Sequence, residues 1–272
     1  MTLKSRNRLN FSLLIFSAAV FVTEIMLVTV QFFRGTVSFK DFESFKTYTS
    51  PLLLRYSPYS VIASIFFEVI FALFSFYILL RAFTKTQAQN LLFFYLFLTA
   101  AVIDSVRLIV PFFNIASTYS SLLIACGNTT IFVNIIMPLS LLCYIITAED
   151  EYKINIEQLM FAIILLSLFF ASIIPLNTSK TLPDFNVDFS FKKIIIVLNI
   201  FSYVISLTII IVRNALKKNR QITSIGFALM ITGLTILRTA TNYLSLVIGL
   251  LLTAVGQFMY LKALHNQYLW ND

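Results

Sequence analysis

The sequence predicts an all-α polytopic integral membrane protein, and three observations carry that prediction. Charged residues make up 12% of the chain, about half the usual share in a soluble domain. Hydrophobic residues make up 59%, with 29 Phe. Apolar runs recur along the whole length, each long enough to cross a hydrocarbon core about 30 Å thick. No stretch of ordinary composition is long enough for a soluble domain, so the 272 residues form a single transmembrane domain. Any chemistry must lie among the helices or on short loops.

Eight spans are expected, at 11–33, 59–81, 91–113, 121–146, 157–176, 192–212, 222–242 and 244–265. The first follows Lys4, Arg6 and Arg8 as a signal peptide would, but its apolar run continues to Val30 with Glu24 inside it. That exceeds a signal-peptide core and reads as an uncleaved span. Pro138 inside span four removes one backbone hydrogen bond and should bend it. Span five, LMFAIILLSLFFASIIPL, is almost wholly apolar and should face lipid. Spans seven and eight must be parted by a turn near Thr241 and Asn242, since one helix of that length would be twice the bilayer thickness. Gly226 and Gly233 in span seven, and Gly249 and Gly256 in span eight, lie seven residues apart. Each pair lines one face, which predicts a tight antiparallel helix pair.

Orientation follows the basic residues. With the N-terminus inside, eleven of the 20 Lys and Arg fall on inner segments and seven on outer ones. The short loop RNALKKNR carries much of the bias. Both termini are therefore expected in the cytoplasm, in the cytoplasmic (inner) membrane of a bacterium. The formal charge of +8 flanks the spans and forms no single patch, which excludes a nucleic-acid partner. Cys126 and Cys143 lie about 25 Å apart on one helix, beyond disulfide reach.

Two longer connections lie on the outer side. In VSFKDFESFK, Phe39, Phe42 and Phe45 recur every third residue, the pattern of a short interfacial helix. From Asn177 to Phe191, Phe185, Phe189 and Phe191 sit among Asp184 and Asp188. Both segments read either as ordinary loops touching headgroups or as lids over an outward-facing cavity. Asn177-Thr178-Ser179 and Asn128-Thr129-Thr130 match the glycosylation pattern; the second lies within a span, the first reads as a chance match in a bacterial protein, and both are set aside.

Functional residues are sought where charge enters the apolar runs. Asp104 and Arg107 are three apart on one helix face. A lone charge at membrane depth costs about 3 kcal/mol on insertion scales, and pairing lowers that cost. Glu24, Glu68 and Arg238 lie at similar depth, with Asn128 and Asn199 close by. Together Glu24, Glu68, Asp104, Arg107, Asn128, Asn199 and Arg238 form one candidate ligand-binding layer in the outer half of the bundle. Ser17, Glu24 and Gln31; Ser64, Glu68 and Ser75; Asn199, Ser202 and Ser206; Thr232, Thr235, Thr239 and Asn242; and Thr253, Gln257 and Tyr260 share helix faces and should turn inward. Three acids against two arginines leave one carboxyl, Glu24 or Glu68, without a cationic partner. It either carries a proton or meets water or a cation. The alternative is that the charges only fix helix register.

Other chemistry is excluded. The single histidine, His265, rules out a multi-histidine zinc site and lies far from the layer. No phosphate loop, dinucleotide fingerprint or zinc-protease motif is present. No cofactor or metal is expected, and no catalytic residue is assigned. The layout resembles, in architecture alone, the multi-span input modules of bacterial membrane sensors. Those are fused to a cytoplasmic output domain, whereas this chain stops at LHNQYLWND. The sequence thus predicts a non-enzymatic module that binds or senses a small molecule, lipid or partner from outside. Its signal would leave through span eight, the basic loop or a partner. Expected partners are membrane lipids, a small ligand, and a partner membrane protein or cytoplasmic output protein. A proton-coupled transporter of small solutes or ions is the second reading. A carboxylate-based lipid-modifying enzyme is the third.

Overall fold

The structure is a computed structural model describing residues 2–34, 53–83, 91–112, 120–147, 155–216 and 221–269. It is a helical bundle with one small β-hairpin. The helices are α1 (Leu3–Arg34), α2 (Pro58–Ala82), α3 (Leu91–Asp104), α4 (Ile109–Phe112), α5 (Ser120–Ile146), α6 (Ile156–Ile173), α7 (Lys192–Leu216), α8 (Gln221–Arg238) and α9 (Tyr243–Leu269). Between α3 and α4 the span continues as a 3-10 turn, Ser105–Leu108. A helix overlaps each of the eight expected ranges.

Among the described residues, seven helices are long and apolar enough to cross a membrane. The apolar part of α8, Ser224–Arg238, is shorter. The chain is a multi-pass helical membrane protein. Several boundaries differ from expectation, with the helices expected to end at 176, 212 and 242 ending at Ile173, Leu216 and Arg238. The first helix starts at Leu3 rather than near residue 11, because Arg6 and Asn10 are buried within it instead of flanking it. The last starts at Tyr243 and runs on to Leu269.

Both termini of the described chain lie at one end of the bundle. Arg6 Nη2 donates to the carbonyl of Phe83, just beyond the end of α2 (2.5 Å). Tyr260 stacks near Phe94, in the first turn of α3, with ring centroids 4.8 Å apart. The opposite end carries an antiparallel hairpin, β1 (Leu176–Thr181) and β2 (Val187–Phe189), with Leu176 opposite Phe189. Its three-residue loop, Pro183 to Phe185, is closed by Phe185 N–H donating to Leu182 (3.1 Å) and Leu182 N–H donating to Asn186 (2.7 Å). Phe185 has φ 65°, the left-handed position such a loop needs and Gly usually fills. A bulky residue there is strained. Burial offsets the strain: Phe185 is wholly enclosed by Tyr56, Val61, Ile65 and Leu108.

The segment 177–191 is thus a folded plug rather than an irregular loop. Val187 packs on Val110, Leu123 and Cys126, and Phe189 on Ile131, Ala171 and Ile195. Tyr56 Oη donates to the carbonyl of Pro183 (3.1 Å). Burial, with Asp184 nearby, raises the Tyr56 pKa above its ordinary value. The VSFKDFESFK segment and the Ala148–Glu151 loop lie outside the described residues.

The core between plug and termini is aromatic. Phe94, Phe97, Phe227, Tyr144 and Tyr260 form one cluster, with Tyr144 and Phe227 centroids 4.4 Å apart. The α8–α9 pair is the closest in the bundle. A Cβ built on Gly226 would lie 2.5 Å from the backbone N of Tyr260, and one on Gly233 2.5 Å from that of Thr253. Gly256 meets Met230 in the same way. These glycines take the inner face of α8, so Thr232 and Thr239 point outward, contrary to expectation. Their hydroxyls donate to their own helix, Thr232 to Leu229 (2.9 Å) and Thr239 to Thr235 (3.1 Å). The helix α6 is peripheral as expected, with Phe161, Leu165, Phe169 and Ile173 exposed.

Candidate functional site

The site begins with the 3-10 turn. In such a turn residues i and i+3 eclipse, which stacks Arg107 on Asp104. Arg107 Nε lies 3.3 Å from Asp104 Oδ2. Its Nη2 donates to Glu68 Oε1 on α2 (2.7 Å), and its Nη1 to the carbonyl of Arg238. The side chain is fully buried.

Arg238 ends α8 and closes the network from the other side. It binds Asp104 with both arms, Nε to Oδ2 at 3.0 Å and Nη2 to Oδ1 at 2.8 Å. This planar two-bond geometry is the strong form of the interaction. Nη2 also donates to the carbonyl of Thr130 (3.0 Å) and Nη1 to Asn134 Oδ1 (2.5 Å), both on α5. Pro138 has no N–H to offer the carbonyl of Asn134 four residues before it, so the helix is loosened at the turn that meets Arg238. Tyr203 on α7 packs beside Arg238 and Thr235.

The plug joins the same network. Thr130 Oγ1 donates to Asn186 Oδ1 (3.1 Å). Asn186 Nδ2 donates to Asp184 Oδ2 (2.8 Å). Asp184 also feels the charge of Arg107. One polar chain therefore runs from the hairpin tip to Glu68.

Glu24 reaches the layer from α1. That helix buries Arg6, Asn10, Ser17 and Glu24, all polar, while its large apolar residues face outward. The spacings of four, seven and seven place them on one stripe. Ser105 and Arg107 stand beside Glu24. Ser105 Oγ donates to the carbonyl of Val102 (2.7 Å), and Arg107 Nη1 and Nη2 go to the Arg238 carbonyl and to Glu68. Both Glu24 oxygens are buried with no hydrogen-bond partner, and so is Glu68 Oε2. Three acceptor oxygens and one donor, Arg107 Nε, thus lack a hydrogen-bond partner in the layer. Buried acceptors normally have a donor.

Five of the seven residues singled out by sequence meet here: Glu24, Glu68, Asp104, Arg107 and Arg238. Asn128 is half-buried on α5, and the amide that reaches Arg238 is Asn134. Asn199 lines a separate apolar cleft of about 440 Å³ among α5, α6 and α7, with Pro138 and Ser202. Thr130, Asn134 and Asn186 were not anticipated, and Asp184 was expected only as part of a loop or lid. The Pro138 position was the one available signal for Asn134.

Other inward polar stripes are satisfied locally or in pairs. Ser64 and Ser75 are buried and donate to their own helix, to Val61 and Phe71 (both 2.7 Å). Gln257 Nε2 donates to Ser75 Oγ (2.7 Å). Among the described residues no three His, Cys, Asp or Glu side chains group as metal ligands. Comparison with family models, curated proteins and solved structures finds no match to this chain.

Proposed function

We propose that the chain is a binding or sensing module with eight spans and both termini in the cytoplasm of a bacterial cell. Its ligand is a small molecule that offers hydrogen-bond donors or positive charge to Glu24 and Glu68. The observation that carries this reading is the set of three buried, unpartnered carboxylate oxygens beside Arg107. Ionisable side chains at membrane depth mark functional sites by default.

Two features favour binding over passage. The hairpin seals the layer at one end through Phe185 and Asn186. The aromatic cluster around Phe94 and Phe227 separates it from the other end. A transport path would need a polar route through that cluster. The hairpin would act as the lid, and a change in its seating would reach α5 through Asn186 and Thr130.

The experiment is purification of the full chain from its own membrane in mild detergent, with identification of bound molecules by native mass spectrometry. The reading expects a small donor-rich or cationic molecule that Glu24→Gln releases while the protein stays folded. A chain that carries the same molecules with and without Glu24→Gln refutes it.

A further inference from the structure

A second site lies at the terminal end, away from the charged layer. There α2 and α9 leave a groove of about 470 Å³ between them. Phe74, Ile78 and Ala82 form one wall, and Ala254, Phe258 and Leu261 the other. Phe74 and Phe258 are among the most exposed aromatics, at 57% and 67%. In a membrane protein that exposure is to hydrocarbon, so the groove is open to acyl chains.

One lining residue, Lys262, is cationic, and Arg81 directly precedes the lining residue Ala82 on α2. Lys262 lines the groove itself, with Nζ 5.7 Å from the Phe258 ring centre. Arg81 lies seven residues from Phe74, on the same face of α2, and sits over the Tyr77 ring at 5.4 Å. Both side chains are exposed and have no carboxylate partner among the described residues. The described acids are Glu24, Glu68, Asp104, Glu157, Asp184 and Asp188, and none lines this groove. The ring contacts hold Lys262 over the lining residue Phe258 and Arg81 over Tyr77, one turn along α2 from the lining residue Phe74, and neither contact neutralises the charge.

We propose that this groove binds an anionic phospholipid. One acyl chain lies against Ile78, Ala254 and Phe258, and the headgroup phosphate sits between Arg81 and Lys262. Charge complementarity selects this occupant: a second copy of the chain would bring the same two cations to the mouth and be repelled. Each basic residue facing an anionic lipid surface contributes about fivefold in binding.

The test uses the full chain in detergent with equal amounts of phosphatidylglycerol and phosphatidylcholine of identical acyl chains. Native mass spectrometry counts the lipids retained. The wild type should prefer phosphatidylglycerol by about 30-fold, the product of two such contributions. Arg81→Gln with Lys262→Gln should equalise the two lipids. Ala254→Trp, which fills the groove and keeps both charges, should reduce retention of both. Equal retention of the two lipids by the wild type overturns the proposal, as does a preference that survives the double substitution. So does a dimer that Ala254→Trp dissolves with no change in bound lipid.

Discussion

Arg238 grips both oxygens of Asp104 across 134 positions of sequence, at 3.0 and 2.8 Å. Asp104 also touches Arg107, so one carboxylate holds two buried cations. Removing one partner of a buried ion pair costs about 3–5 kcal/mol, because the other charge is left uncompensated. Asp104→Asn should therefore destabilise the protein by at least that amount, measured by unfolding in mixed detergent micelles. Glu68→Gln should cost less, since Arg107 keeps Asp104 and the Arg238 carbonyl. A larger loss for Glu68→Gln would contradict this hierarchy.

The helix pair α8–α9 predicts a second gradient. At Gly226 and Gly233 an added methyl meets the facing backbone, which cannot yield without separating the helices. Overpacking of this kind costs about 1–3 kcal/mol. At Gly127 the same methyl meets only the Leu176 side-chain tip at 2.8 Å, which can rotate away. The expected order of destabilisation is Gly226→Ala and Gly233→Ala well above Gly127→Ala, by the same unfolding assay. Equal effects at all three positions would show that the helices are less closely apposed.

Much of this was legible in the sequence. The helices stand out because hydrocarbon demands long apolar runs. The acids and arginines stand out because isolated charge is so unfavourable there. Asn128 and Asn134 show where legibility ends. They are six residues apart on one helix and alike in chemistry, and an offset of about 9 Å in rise and a third of a turn in rotation decides which meets Arg238. Thr130 and Asn186 left no trace either, because hydroxyls and amides can be satisfied locally. The threonine stripe of α8 misled because a glycine face competed for the interior and won by permitting closer packing. The hairpin was hidden because its turn uses Phe185 where a glycine would have announced it.

Phe185 ties the plug to the bundle. Phe185→Ala removes a fully buried ring, a change that costs about 3–5 kcal/mol in protein cores. The loss should be local. Amide hydrogen exchange across Leu176–Phe189 should speed up, while exchange in α3 and α8 stays slow. Faster exchange through the whole bundle would mean that the hairpin is integral to the fold rather than a lid.

Tyr56 gives the plug a pH dependence. Its pKa lies above the ordinary value of about 10, raised by burial with a contribution from Asp184. The folded state therefore favours the protonated hydroxyl that donates to Pro183. That stabilisation is complete below the unfolded pKa near 10 and fades only as pH rises through the higher folded value. The difference in stability between wild type and Tyr56→Phe should be constant at neutral pH and shrink in strong alkali. A difference that shrinks below pH of about 9 would contradict the assignment.

The central claim is that Glu24 faces a closed polar layer beneath the hairpin. The most direct measurement is thiol labelling of Glu24→Cys, in a background with Cys126→Ser and Cys143→Ser, by a water-soluble reagent from each side of sealed vesicles. The account predicts no labelling from either side while the hairpin is seated, and labelling from the hairpin side alone once Phe185→Ala unseats it. Labelling that is equal with and without Phe185→Ala, or that enters from the terminal side, would contradict it.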